Sequence, residues 1–156
     1  MEKEAFMREA IKLSLDNIES GDGGPFGAVV VKNGKIIARG KNMVASTNDP
    51  TAHAEMVAIR EACKTLGNFQ LEGCEIYTSC EPCPMCLGAI YWARPKAVYY
   101  ANTKKDAAEI LFDDDFIYNE IAVPMEERTM NFHQLLREEA LEAFKAWRTK
   151  ADRTLY

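Results

Sequence analysis

The chain has 156 residues, 47% apolar and 28% charged, the proportions of one globular domain with a single core. Nine glycines and six prolines exclude a low-complexity or collagen-like chain, and no apolar run approaches the roughly 20 residues that cross a bilayer. Nineteen basic against 24 acidic side chains leave a net charge of −5 with no basic cluster, which argues against a nucleic-acid partner and for a small neutral ligand.

The chain starts Met1-Glu2-Lys3-Glu4-Ala5, without the basic start and apolar stretch of an export signal, so a cytoplasmic location is expected. Over residues 3–19, Phe6, Ala10 and Leu13, flanked by Met7, Ile11 and Ile18, have the three-to-four spacing of an amphipathic helix. A glycine-rich loop, Gly21 to Gly27, ends it. Asn33-Gly34 between Ala28–Val31 and Ile36–Ala38 predicts an antiparallel hairpin. Turn chemistry at Asn48-Asp49-Pro50-Thr51 leads into a helix from His53 to Leu66 that stops at Gly67. Glu75–Thr78 reads as a strand, Met85–Trp92 as a helix begun by Pro84, and Ala97–Tyr100 as another strand. Strands and helices in that alternation imply an α/β fold with right-handed crossovers and helices on the faces of one sheet. Beyond Lys105 the pattern weakens: Asp113-Asp114-Asp115 interrupts it, Thr129–Leu136 is expected as a last strand, and Leu141, Phe144 and Trp147 mark a final helix. No internal repeat or interdomain linker is present.

Five cysteines cannot all pair, and three of them, Cys80, Cys83 and Cys86, are clustered, which favours metal binding or chemistry over a disulfide framework. His53-Ala54-Glu55 and Pro82-Cys83-Pro84-Met85-Cys86 each fall at the start of a predicted helix. Residues two apart on a helix point to different sides, so His53 ligates while Glu55 flanks the open position. Cys83 and Cys86, three apart, share a face, and the positive end of the helix dipole favours their thiolates. Two thiolates and one imidazole select zinc and leave a fourth position for water. The pattern H-x-E with P-C-x-x-C is the signature of zinc nucleobase deaminases, in which the Glu is general acid and base. If Cys80 filled the fourth position, the site would instead be a closed structural zinc in a binding module without turnover. Cys63 and Cys74 read as small buried hydrophobes.

Thr51-Ala52-His53-Ala54-Glu55, the run Thr78 to Cys86, and Asn48-Asp49-Pro50 resemble the cytidine-deaminase-like zinc deaminases. Gly24-Pro25-Phe26-Gly27-Ala28-Val29, the segment Gly88 to Ala97, Phe112-Asp113-Asp114 with Phe116-Ile117-Tyr118, and the terminal Tyr156 resemble, more narrowly, the short bacterial guanine deaminases of that superfamily. The resemblance runs nearly end to end. It implies a three-layer α/β/α sandwich with a five-stranded mixed sheet in one domain, 1–156. It implies hydrolysis of guanine to xanthine and ammonia by a zinc-bound hydroxide, in purine salvage or catabolism. His53, Cys83 and Cys86 would hold one zinc ion per subunit, and Glu55 would shuttle protons.

The same resemblance assigns Asp114 a catalytic and substrate-binding role. Guanine presents two donors on one edge, N1–H and the N2 amine, which a carboxylate accepts together, whereas adenine has an acceptor at N1. Phe26, Asn42, Ala54, Trp92 and Tyr156 complete the implied substrate contacts, with Phe26 and Trp92 as apolar walls. The resemblance also implies a homodimer that exchanges the C-terminal segment, about 130–156, so that Tyr156 closes the partner's pocket. The nearest alternative activity is an adenosine deaminase acting on transfer RNA, against which the −5 charge speaks.

Overall fold

A computed structural model describes residues 2–156. The N-terminal helix α1 runs Glu2–Ser20 and the hairpin follows as β1, Gly27–Lys32, and β2, Lys35–Lys41, around Asn33 and Gly34, both with positive φ (50° and 73°). A single turn, α2, Val44–Thr47, precedes α3, Ala54–Leu66, which ends at Gly67 with φ 61°. Next come β3, Cys74–Cys80; α4, Pro84–Ala93; and β4, Ala97–Asn102. The short helices α5, Lys104–Glu109, and α6, Asp115–Ala122, a 3-10 turn at Met125–Glu127 and α7, Arg137–Thr149, follow.

The strands form one mixed sheet in the order β2-β1-β3-β4. β1 is antiparallel to both neighbours, and β3 is parallel to β4. Alternate residues of β1 face opposite cores. Ala28 and Val30 join Ala38, Ile76 and the buried faces of α3 and α4, whereas Val29 and Val31 join Tyr77 with Phe6, Met7 and Leu13 of α1. A strand covered on both faces is a continuous apolar run, as Ala28–Val31 of β1 are. The result is the expected three-layer α/β/α arrangement.

The sheet has four strands among the described residues, not the five expected. Thr129–Leu136 forms no strand, because the Thr129 backbone N–H (3.0 Å) and hydroxyl (3.0 Å) donate to the Glu120 carboxylate instead of to a ladder. The chain divides into two compact units, one ending at Asp115 and one spanning Phe116–Tyr156. Within the second, Arg128 Nε donates to the Glu120 carbonyl (3.0 Å) and its guanidinium lies over Phe132. No residue of α6 or α7 is buried.

In the first unit, β2, β3 and β4 all point the same way, so their C-terminal ends and the start of β1 lie along one edge. The N-termini of α3 and α4 reach that same edge, the usual place for a ligand in an α/β sheet.

Candidate active site

His53 is the N-cap of α3, and the loop before it is fixed from several directions. The Asp49 carboxylate accepts from the Thr51 N–H (2.8 Å) and hydroxyl (2.6 Å), the His53 N–H donates to the Thr51 carbonyl (2.8 Å), and the Met43 N–H donates to the Ala52 carbonyl (2.9 Å). The end of β2 is thereby tied to the residue before His53. Cys83 caps α4 in the same manner: Pro84 takes the first helical position, and the Cys83 sulfur accepts from the Cys86 backbone N–H at 3.5 Å.

The two caps meet. His53 Nδ1 lies 3.5 Å from Cys83 Sγ and 3.6 Å from Cys86 Sγ, and all three atoms fall within 4.8 Å of one another. A tetrahedral zinc with ordinary Zn–S and Zn–N bond lengths separates its nitrogen and sulfur ligands by about 3.6 Å, so the donor set fits the ion in both chemistry and spacing. Electrostatics prepares it too. Hydrogen bonds from the Cys86 thiol and from His53 push the Cys83 thiol down to about 4, while donating to Cys83, together with burial, pushes Cys86 up. The contact with Cys83 raises the His53 pKa. Zinc takes its sulfur ligands as thiolates, so binding here would release thiol protons.

Cys80 does not join the group. Its sulfur donates to the Thr103 carbonyl at 3.6 Å, and burial pushes its thiol up to about 11, so it stays protonated. The closed site of three sulfurs and a histidine is not what the fold builds. Cys74 is fully buried and Cys63 half-buried, as small hydrophobes are.

Glu55, in the first turn of α3, is 6% exposed, and burial raises its pKa against the opposing hydrogen bonds from its own N–H and the Cys86 thiol. It is a protonatable carboxyl beside the metal donors. Asp114 is half-buried, and its charge acts on His53, Cys80 and Cys83. Burial raises its pKa as well, and its Oδ1 is a buried oxygen without a hydrogen-bond partner in this structure. A buried acceptor left open is costly unless a ligand fills it.

Phe26 and Asn42 are neighbours at the lip of this edge: the Asn42 N–H donates to the Phe26 carbonyl (3.2 Å), one step beyond the Gly27–Lys41 pair of the β1–β2 ladder. Phe26 is half-buried and packs edge-on against Phe112, with ring centroids 5.1 Å apart. Asn42 is buried, and its Oδ1 accepts from the Val44 N–H (3.0 Å). Ala54 is fully buried at the first position of α3. Trp92 lies six residues along α4 from Cys86, about 9 Å of helix rise, and is 63% exposed. Tyr156 belongs to the second unit and is 67% exposed. Sequence reasoning missed Asn17, which is fully buried behind Asn42. The signal was present: Phe6, Ala10 and Leu13 define the buried stripe of α1, and position 17 continues it with a polar residue.

Residues 1–102 match the cytidine and deoxycytidylate deaminase zinc-binding region. The chain belongs to this family. The matched region ends with β4, so the family portion contains His53, Glu55, Cys83 and Cys86, and leaves Asp114 and everything after it outside. Over its whole length the chain is 59% identical to the guanine deaminase of Bacillus subtilis, which it also covers completely. The X-ray structure of Bacillus subtilis guanine deaminase superposes with a TM-score of 0.95 over 98% of both chains. A more distant solved relative, holding 8-azaguanine, is 36% identical with a TM-score of 0.68, over 71% of this chain and 64% of its own. The tRNA-specific adenosine deaminase of Aquifex aeolicus is 45% identical over 67% of this chain and 70% of its own. Similarity to the adenosine deaminase thus spans about two thirds of the chain, and similarity to the guanine deaminase spans all of it. Zinc is the family's metal, and the His53, Cys83 and Cys86 cluster is built to hold it.

Proposed function

We infer that this chain is a zinc-dependent aminohydrolase that converts guanine and water to xanthine and ammonia. The observation that carries this reading is the 59% identity to the Bacillus subtilis guanine deaminase, which continues through Asp114 to Tyr156 rather than stopping at the zinc region. His53, Cys83 and Cys86 are the zinc ligands. Bound there, the ion supplies Lewis-acid activation of a water molecule.

The chain's own residues do the rest. Glu55, kept protonatable by burial, takes a proton from the attacking water and hands it to the ring nitrogen next to C2. Oxygen adds at C2, the bond to the exocyclic nitrogen breaks, and the second proton goes to that nitrogen as ammonia leaves. Asp114 supports this at the other edge. Its carboxylate, whose Oδ1 has no partner within the chain, accepts from the N1–H and N2 amine, and its raised pKa suits a proton relay to the leaving amine. Asn42 meets the purine's opposite edge. Ala54 offers its helix-start N–H, a donor without an intrahelical partner. Phe26 and Trp92 are the apolar walls.

A homodimer that exchanges the segment at about 130–156 and supplies Tyr156 in trans accords with the second unit, whose helices bury no residue and leave Phe116, Phe144 and Trp147 exposed. Five free thiols fit the reducing cytoplasm. No described helix is long and apolar enough to cross a membrane.

Ammonia release from guanine, adenine, cytosine and their nucleosides tests the reaction. Guanine is expected to be the preferred substrate, and turnover of adenine or adenosine in its place would overturn the reading. Mixing Glu55→Gln with Tyr156→Ala chains after joint unfolding and refolding tests the swap. A mixed dimer holds one site with both residues intact, so activity should rise above that of either variant alone, and no gain would exclude action in trans.

A further inference from the structure

Asn17 has no part in the chemistry described so far, yet it is 0% exposed, deep in the one stripe of α1 that packs on the sheet. Its amide nitrogen donates to two carbonyls from different loops, Gly24 at 2.8 Å and Asn42 at 2.9 Å. Its oxygen accepts from the Ser20 hydroxyl at 2.6 Å, and that hydroxyl in turn accepts from the Asp22 N–H at 3.2 Å. Both amide hydrogens and the amide oxygen are therefore engaged, and the two carbonyls, which can only accept, decide which way the amide is turned.

The two carbonyls lie where the β1–β2 ladder has ended. Beyond the Gly27–Lys41 pair only the Asn42 N–H to Phe26 carbonyl bond continues it. A second, independent contact presses on Asn42 from the other side. A Cβ added at Gly23 would lie 2.0 Å from Asn42 Oδ1 and 2.8 Å from its carbonyl oxygen, so the loop backbone rests directly on that side chain. The Val44 N–H holds the same Oδ1. The bond from Val44 fixes which way the Asn42 amide is turned and leaves its NH2 group as the donor available to a ligand. An acceptor on the purine is then the matching partner.

We propose that Asn17 is a positioning residue for substrate recognition: its amide clamps the Gly24 and Asn42 carbonyls together so that Phe26 and Asn42 keep one geometry at the lip of the site, with Asn42 held as a donor. This deepens the guanine reading and rests on it for the identity of the ligand. The clamp itself stands on the contacts above.

The test uses the zinc-loaded full-length chain as Asn17→Ala, Ser20→Ala, Asn42→Ala and the two double variants that contain Asn42→Ala. Steady-state ammonia release gives KM and kcat for guanine, and amide hydrogen exchange follows the Val44 N–H without reference to activity. Asn17→Ala should raise KM for guanine about tenfold, with kcat falling less than threefold and zinc content retained. Ser20→Ala, a milder change on a more exposed residue, should raise KM about threefold, and Ser20→Thr, which keeps the hydroxyl, should restore it. Adding either change to Asn42→Ala should raise KM by clearly less than it does alone, because only the Phe26 share of the effect remains. Exchange at Val44 should quicken about tenfold in Asn17→Ala while amides within α3 and α4 keep their protection.

Unchanged Val44 exchange, or an equal KM increase with and without Asn42, would overturn the proposal. If Asn17→Ala does not fold, Ser20→Ala and its double variant decide between the same outcomes. An unsubstituted protein that releases no ammonia from guanine would count against the guanine reading alone, because the exchange measurement still judges the clamp.

Discussion

The two faces of the sheet are built from different materials. Toward α3 and α4 half of the buried core residues are alanines, Ala28, Ala38, Ala54, Ala58, Ala62 and Ala93, set among Val30, Ile59, Leu71, Cys74, Ile76 and Ile90. Toward α1 the core is Val29, Val31 and Tyr77 packed with Phe6, Leu13 and Tyr99. Small side chains let the α3 backbone sit directly on β2: a Cβ added at Gly40 would lie 2.3 Å from the Ala54 carbonyl and 2.6 Å from the Ala58 nitrogen. Backbone against backbone leaves α3 little freedom to slide, and its first turn carries His53 and Glu55. The α1 face has one such close approach, Gly27 against the Ala10 carbonyl, and otherwise relies on large side chains. The face under α3 and α4 positions the reacting groups, and the α1 face contributes packing away from them.

Substitutions should separate the two roles, and the largest effect belongs to Glu55. Glu55→Gln keeps the volume and removes the proton carrier, so turnover of guanine should fall by about 10²–10⁴-fold while zinc stays bound. Rates measured beside zinc content check this. Near-normal ammonia release would remove Glu55 from the chemistry. Next in size is Gly40→Ala, which forces α3 off β2. Overpacking of this kind costs about 3 kcal/mol, and here it should also lower zinc occupancy, because His53 moves with the helix. Denaturant unfolding and metal analysis of the same sample read both. A stability loss with full zinc and full activity would show that the close packing does not position the site.

The sequence made the zinc donors legible because their chemistry is carried by residue type and by spacing within each motif. Cys83 and Cys86 must share a helical face, and His53 with Glu55 must flank a helix start. What brings the motifs together, the parallel course of β2 and β3 with β1 between them, was legible only as alternating strands and helices. The hairpin was marked by Asn33-Gly34, and the end of α3 by Gly67. In the C-terminal third only the last helix was legible, with Leu141, Phe144 and Trp147 falling in α7, and α6 was not, since it buries nothing in the chain itself and leaves no core-facing pattern to read. The expected strand at Thr129–Leu136 failed because a local side-chain contact from Glu120, invisible to periodicity, took its backbone donor. Asn17 was overlooked because a polar residue in a helix ordinarily marks the solvent side, although its place four residues after Leu13 continues the buried stripe of α1.

The smallest expected effect lies on the aromatic face, at Tyr77. Its ring is 1% exposed, stacks on Tyr99 with centroids 4.7 Å apart and meets Phe6 edge-on, and its hydroxyl donates to the Glu75 carboxylate at 2.7 Å. Tyr77→Phe keeps the packing and deletes that bond, and a hydrogen bond to a charged group is worth roughly 1.5–3 kcal/mol. Glu75 also keeps its ion pair with Lys96, 3.3 Å away, so a loss near 1 kcal/mol, below that range, is expected. The hydrogen bond from Tyr77, followed by the Lys96 contacts, holds the Glu75 carboxyl below the usual carboxylate range. A carboxylate with a lowered pKa in the folded state adds stability that is fully present above its unfolded pKa, about 4.3, and is lost as pH falls through the folded value. The stability gap between the natural chain and Tyr77→Phe should therefore be widest at neutral pH and shrink on acidification below about 4, with guanine turnover at neutral pH within about twofold. Urea unfolding at neutral and acidic pH measures the gap. A gap that ignores pH would mean Tyr77 acts through packing alone, and a large loss of turnover would mean the aromatic face also holds the reacting groups.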